Sequence, residues 1–224
     1  MLVWLASYPR SGNTFVRTML KECFELRTHT LYGEGDGRAF ATPELREAVG
    51  FTSTGLANQD LIDYARSVDE PVIVKTHEAP LTGDKTIHIV RDGRSAIVSY
   101  FHFMAEVENF PVPLENIIRG EVYAGSWSEH FNAWMGRPDT LMLRYEDLVA
   151  DPNAGARKIS GFLGRPVLKP FSKSFSEMKV LKPAFFRRGS DVANIAEIAH
   201  FSDLFELHHG KVMGELGYGS AVSA

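Results

Sequence analysis

Lys75 and His77 stand two residues apart in the run Pro71-Val72-Ile73-Val74-Lys75-Thr76-His77. On an extended chain that spacing points both side chains to one face, so a cation and an imidazole can reach one pocket. A second group lies near the start, in Ser7-Tyr8-Pro9-Arg10-Ser11-Gly12-Asn13-Thr14-Phe15. Arg10 supplies a fixed positive charge with several donors, and Ser11, Asn13 and Thr14 add hydrogen-bonding side chains. Gly12 lets the backbone approach a ligand closely. If a helix opens here, its first N–H groups have no partner inside the helix and its dipole is positive, which suits a phosphate or sulfate. The same residues would also serve an ordinary strand-to-helix turn capped by Asn or Thr. Arg91 and Ser99 form a third pair, eight residues apart.

The flanking patterns place these residues. Leu2-Val3-Trp4-Leu5-Ala6 reads as a buried strand, and Val16, Met19, Leu20, Cys23 and Phe24 are spaced for one face of the helix that follows. Residues 71–77 read as a second buried strand with a polar end, and 85–92 as a third, ending at Arg91. Asp92 is a fit N-cap for a helix from Gly93 to about Met104, which carries Ser99. Ser126 to Met135 reads as an amphipathic helix, and Thr140 to Leu148 as a fourth strand with a polar end. Asp151-Pro152 opens a helix that Gly164 stops. Ile195 to Leu216 reads as one closing helix. Strands with polar ends, each followed by a helix, suit an open α/β sheet, where ligands sit beyond the carboxyl ends of the strands. The stretch 28–70, rich in Gly, Thr and Asp until a modest helix at 56–68, reads as a functional loop or a surface excursion.

The 224 residues suit a single domain, 1–224, and a hydrophobic content of 44% with 23% charged residues is that of a globular protein. A net charge of −4 argues against a protein built to coat nucleic acid. The single cysteine, Cys23, rules out a disulfide framework and fits a reducing compartment. No apolar run reaches transmembrane length and no basic segment precedes an apolar one at the N-terminus, so neither membrane anchor nor signal peptide is expected, and the expected location is cytoplasmic. No carboxylate or histidine cluster has metal-ligand spacing, so no metal is expected.

Tyr8 to Phe15 resembles the 5′-phosphosulfate loop of the sulfotransferase family, Tyr-Pro-Lys-Ser-Gly-Thr-Thr-Trp, with Arg10, Asn13 and Phe15 as the departures. It is not a Walker A loop, because no Gly-Lys-Ser/Thr follows. Lys75-Thr76-His77 resembles the family's Lys-Thr-His, whose His deprotonates the acceptor. Arg91 with Ser99 matches the family's 3′-phosphate pair in order and register. Tyr145-Glu146-Asp147 matches the segment whose Tyr approaches the adenine. Phe175 resembles a residue packed on the adenine, and Arg187, Arg188 and Gly189 resemble a second 3′-phosphate grip; without the resemblance these would read as core packing and a solvated turn. The resemblance covers residues 2–189. It implies a P-loop-like, doubly wound α/β domain with a mainly parallel sheet flanked by helices, with 3′-phosphoadenosine-5′-phosphosulfate (PAPS) as co-substrate and adenosine 3′,5′-bisphosphate (PAP) as product. It implies Arg10, Lys75 and His77 as catalytic residues. The nucleotide would be held by Arg10, Ser11, Gly12, Asn13, Thr14, Phe15, Arg91, Ser99, Tyr145, Phe175, Arg187, Arg188 and Gly189. The expected reaction moves a sulfuryl group to a hydroxyl or amine of a small-molecule or glycan acceptor, with 28–70 and 105–125 as acceptor-side loops. A P-loop-type small-molecule kinase and a non-catalytic nucleotide-binding protein of the same fold are the alternatives. The family's dimer motif is not recognisable, which leaves the oligomeric state unassigned.

Overall fold

The computed structural model describes residues 1–31, 42–172 and 191–219. Among these, five strands form one sheet: β1 (Leu2–Ser7), β2 (Thr28–Thr30), β3 (Val72–Thr76), β4 (Lys85–Val90) and β5 (Thr140–Arg144). Their order is β2-β3-β1-β4-β5, and every pairing is parallel. From β1 the chain goes to the edge strand β2 and returns to β3 beside β1, then crosses to β4 and β5 on the other side. The reversal falls at β1, and a crevice beyond the carboxyl end of such a strand is where open α/β sheets bind ligands.

All six residues of β1 are buried, as expected of a parallel strand covered on both faces. Val3 and Leu5 join one apolar cluster, and Leu2, Trp4 and Ala6 join another. Helix α1 (Asn13–Phe24) lays Phe15, Val16, Met19, Leu20 and Cys23 into the first cluster, against Ile73, Ile87 and Ile89. Each such large apolar side chain contributes about 1.5–3 kcal/mol on burial. Cys23 is buried, and burial pushes its thiol pKa up, as befits a packing residue.

The other helices are α2 (Pro43–Ala48), α3 (Asn58–Ser67), α4 (Gly93–Glu106), α5 (Leu114–Arg119), α6 (Trp127–Trp134), α7 (Tyr145–Ala150), α8 (Pro152–Leu163), α9 (Asp191–Ile198) and α10 (Ser202–Glu215). Helix α8 starts and stops where its residues require: the Asp151 carboxylate accepts from Ala154 N–H at 2.9 Å, and Gly164 ends it at φ 66°. Three expectations are corrected. The fourth strand ends at Arg144 rather than Leu148, because Glu146 and Asp147 fall in the first turn of α7, where acidic groups favour a helix start. The closing helix is broken by a 3₁₀ turn at Ala199–Phe201, and Asp203 in the first turn of α10 favours a fresh start. The described part of 28–70 also carries β2 and α2, which the sequence pattern did not reveal; Thr42 caps α2 by accepting from Leu45 N–H.

His88, His130 and His209 are buried, and His209 lies between Ser128 Oγ and the Ile118 carbonyl, each at 2.9 Å. Desolvation pulls His88 down to about 3 and His209 to about 4, and it holds His130 well below its ordinary value, with His88 and His77 adding repulsion. In the unfolded chain all three titrate near pH 6.5, so below that pH the unfolded state binds more protons and acid favours it. Stability is expected to be full above about pH 6.5 and to fall below it, each histidine contributing up to about 1.4 kcal/mol per pH unit. Urea denaturation between pH 7 and pH 5 should show a falling midpoint; an unchanged midpoint would mean these histidines accept protons while folded.

Candidate active site

The loop after β1 turns tightly, with Ser11 N–H donating to the Tyr8 carbonyl at 3.2 Å. Arg10 and Gly12 adopt left-handed backbone, at φ 66° and 106°. Gly12 is needed twice over: a Cβ there would stand 2.5 Å from Cδ2 of Tyr145. Gly12 also occupies the N-cap of α1, whose first turn holds neither a side-chain cap nor an acidic residue. Thr42, Asp92, Ser126 and Asp151, by contrast, cap α2, α4, α6 and α8 with their own oxygens. Helix α1 therefore brings its positive end to the loop with no acidic residue in its own first turn, which suits phosphate or sulfate. Ser11 Oγ is buried beside it without a hydrogen-bond partner among the described residues, so it can donate to such a group. The amide of Asn13 turns inward instead, donating to the Leu5 carbonyl at 3.3 Å and to Ser7 Oγ at 3.2 Å. It ties the start of α1 to the end of β1, leaving its backbone to face a ligand.

The parallel register of β1 with β3 pairs Leu5 with Lys75 and Ala6 with Thr76, so His77 arrives beside Ser7. His77 Nδ1 lies 2.7 Å from the Ser7 carbonyl oxygen. A carbonyl can only accept, so Nδ1 carries the proton and Nε2 offers a lone pair. Lys75 is buried at the same strand end. The turn beyond is fixed by two bonds: Glu78 N–H donates to Thr76 Oγ1, and Trp134 Nε1 donates to the Glu78 carbonyl, both at 3.0 Å.

On the other side of β1, Arg91 follows β4. Its Nη1 donates to the Arg10 carbonyl at 3.1 Å, and its guanidinium lies 4.7 Å from the centre of the Tyr145 ring. Tyr145 in turn meets Phe15 edge-on at 6.4 Å. Arg10 Nε donates to Ser99 Oγ at 3.2 Å, and the guanidinium rests 5.0 Å from the Phe103 ring centre. Burial first, and the Arg91 charge second, pull Arg10 down to about 10, with Tyr145 opposing. It stays cationic at neutral pH, and two arginines this close are best relieved by a polyanion.

The fold thus gathers Arg10 to Phe15, Lys75, His77, Arg91, Ser99 and Tyr145 around the carboxyl ends of β1, β3, β4 and β5. Phe175, Arg187, Arg188 and Gly189 lie outside the described residues. Sequence reasoning missed Ser7, whose carbonyl orients His77, Phe103 beneath Arg10, and Glu146, which accepts from Asp92 N–H at 2.9 Å. Only the place of Ser7, at the end of the first strand, could have marked it in advance. Among the described residues no group of three or more His, Cys, Asp or Glu could hold a metal ion, and no helix is long and apolar enough to cross a membrane.

A family model described as the sulfotransferase domain matches residues 2–197. The chain belongs to the sulfotransferase domain family. Sulfotransferase 1E1 of Mus musculus is 28% identical over 204 residues, covering 78% of this chain and 65% of its own, so the chain spans just under two thirds of that relative's length. Sulfotransferase 1A1 of Bos taurus is 28% identical over 254 residues, covering 93% of this chain and 82% of its own. In structure, this sulfotransferase domain is similar to mouse sulfotransferase SULT7A1 complexed with PAP, with a TM-score of 0.68 at 22% identity over 96% of this chain and 88% of that one. It is also similar to retinol dehydratase in a complex with retinol and PAP, with a TM-score of 0.61 at 22% identity over 95% and 81%. These two likenesses establish the fold, a parallel sheet flanked by helices, as expected from the sequence.

Two glycine substitutions separate the demands of this loop from those of an ordinary helix. Gly12→Ala meets the Tyr145 ring at a left-handed φ and should cost about 1–3 kcal/mol. Gly161→Ala, in an exposed part of α8 with nothing within 4 Å of the added methyl, should gain about 0.5–1 kcal/mol. Urea denaturation of both variants checks this; equal effects would mean that Gly12 is not held under Tyr145.

Proposed function

We propose that the protein is a PAPS-dependent sulfotransferase, moving a sulfuryl group in line from PAPS to a hydroxyl or amine. The observation that carries this reading is the glycine-capped first turn of α1, with no acidic residue of its own, beside which the Arg91 guanidinium donates to the Arg10 backbone carbonyl. Bound there, PAPS would supply the sulfuryl group and a bisphosphate leaving group. The N–H groups of the first turn and Ser11 Oγ are suited to the 5′ side, and Arg91 with Ser99 to the 3′-phosphate. Tyr145, held between Phe15 and Arg91, offers a face for the adenine. The PAP complexes of the similar structures support this assignment, and the retinol and androsterone seen in retinol dehydratase complexes favour a small-molecule acceptor.

The chemistry follows from charge, as in phosphoryl transfer. Negative charge grows on the leaving-group oxygen, where Arg10, Lys75 and the helix N–H groups stabilise it. His77, with Nδ1–H committed to Ser7, takes the acceptor proton on Nε2. No step requires a metal ion.

With labelled PAPS and a panel of phenols, alcohols and amines, His77→Ala should lose about 10²–10⁴-fold in transfer to a hydroxyl and still bind PAP almost normally. Transfer at the wild-type rate would remove His77 from the chemistry. Arg91→Ala should weaken PAP binding by about 1.5–3 kcal/mol, the scale of a lost charged hydrogen bond. Calorimetric titration measures it, and unchanged affinity would place the 3′-phosphate elsewhere.

A further inference from the structure

The residues that flank Arg91 and Tyr145 are tied to the end of the chain. Glu146, next to Tyr145, uses both carboxylate oxygens: Oε1 accepts from the Asp92 N–H at 2.9 Å, and Oε2 from the Tyr218 hydroxyl at 2.8 Å. Asp92 is the residue after Arg91. Its carboxylate caps α4 by accepting from Arg94 N–H at 2.9 Å and pairs with the Arg94 guanidinium at 2.5 Å. Arg94 Nη1 reaches on to the Gly219 carbonyl at 3.0 Å. Arg144, on the other side of Tyr145, donates to the Leu216 carbonyl at 2.7 Å and lays its guanidinium 4.2 Å from the Tyr218 ring centre. The tail 216–219 therefore bonds to Arg144 and Glu146, which flank Tyr145, and to Arg94, which pairs with Asp92 next to Arg91; Tyr218 is buried among them.

We infer that the C-terminal tail 216–219 positions the 3′-phosphate site, with Tyr218 acting through Glu146 and Asp92 on Arg91. The inference rests on the reading of Arg91 as the 3′-phosphate ligand. Tyr218 does not touch that site; it is a positioning residue. The backbone N–H of Asp92 fixes where β4 ends, and Arg91 departs from that point. A neutral hydroxyl donating to Glu146 Oε2 holds the carboxylate on the Asp92 N–H, and without it the carboxylate is released to rotate. The sum of the bonds sets the angle at which Arg91 lies across Tyr145 and meets the Arg10 carbonyl.

Tyr218→Phe removes one hydroxyl and keeps the ring that Arg144 covers. The measurement is the ratio of affinities for adenosine 3′,5′-bisphosphate and AMP, by calorimetric titration of the whole chain, beside a thermal denaturation. AMP lacks the 3′-phosphate, so a loss confined to Arg91 appears in the ratio, whereas a general loosening of the fold weakens both ligands alike. The wild-type protein should prefer the bisphosphate, and Tyr218→Phe should lower that preference about three- to tenfold with AMP affinity nearly unchanged. If Tyr218→Phe loses its cooperative thermal transition, Glu146→Gln, which leaves Tyr218 in place, is read the same way and should lower the ratio similarly. A wild-type preference that the variant retains, whatever its thermal midpoint, overturns the role of the tail alone. A wild-type protein with no preference for the bisphosphate overturns the 3′-phosphate reading and the inference with it.

Discussion

The turn between β1 and α1 can close only because residue 12 carries no side chain. Tyr145 occupies the space a methyl group would need, and its ring lies 2.5 Å from where that carbon would stand. Once Tyr145 is there, Phe15 supports it from one side and the Arg91 guanidinium covers it from another. Arg91 then grips the backbone of Arg10, the residue that makes the same turn left-handed. The contacts close on themselves, so the loop, the strand end of β4 and the start of α7 hold one geometry together. An anion site needs such preorganisation, because donors already in place cost nothing to reorient when charge arrives.

Much of this was legible in the sequence because the signals are local. A strand, a polar loop with one glycine and an amphipathic helix follow one another without interruption from Leu2 to Phe24. Lys75 and His77 are separated by the two-residue period of a strand, and Asp151 with Pro152 and Gly164 set the ends of α8 where the fold has them. What was not legible depends on distant partners. His77 and Ser7 are 70 residues apart, and only the parallel register of β1 with β3 makes them neighbours. Glu146 and Tyr218 are separated by 72 residues. The three-residue β2 is too short to show a pattern, and it forms because β3 offers an edge to pair with. Asn13 misled in a different way: a polar side chain in a phosphate-like loop reads as a ligand donor, yet its amide is used to anchor the helix start to β1.

Electrostatics gives the site its direction. The net charge of the chain is negative, yet the crevice concentrates Arg10, Lys75 and Arg91 at the positive end of a helix. Burial lowers Arg10 without neutralising it, and the proximity of Arg91 adds repulsion that a bound anion would relieve. Under the proposed reading a nucleotide with phosphates on both the 3′ and 5′ positions would meet both arginines at once, while on the far side of β1 the Ser7 carbonyl orients the imidazole of His77. The arginines, the helix end and His77 thus follow adjacent strands of one sheet.

The most direct measurement is a crystal structure of the protein with adenosine 3′,5′-bisphosphate. The 5′-phosphate should lie on the backbone N–H groups of residues 12–14 and the Ser11 hydroxyl. The 3′-phosphate should lie within about 3 Å of the Arg91 guanidinium and Ser99 Oγ, and the adenine against Tyr145. A nucleotide bound away from the α1 start, or with its 3′-phosphate directed to solvent away from Arg91, would contradict this placement.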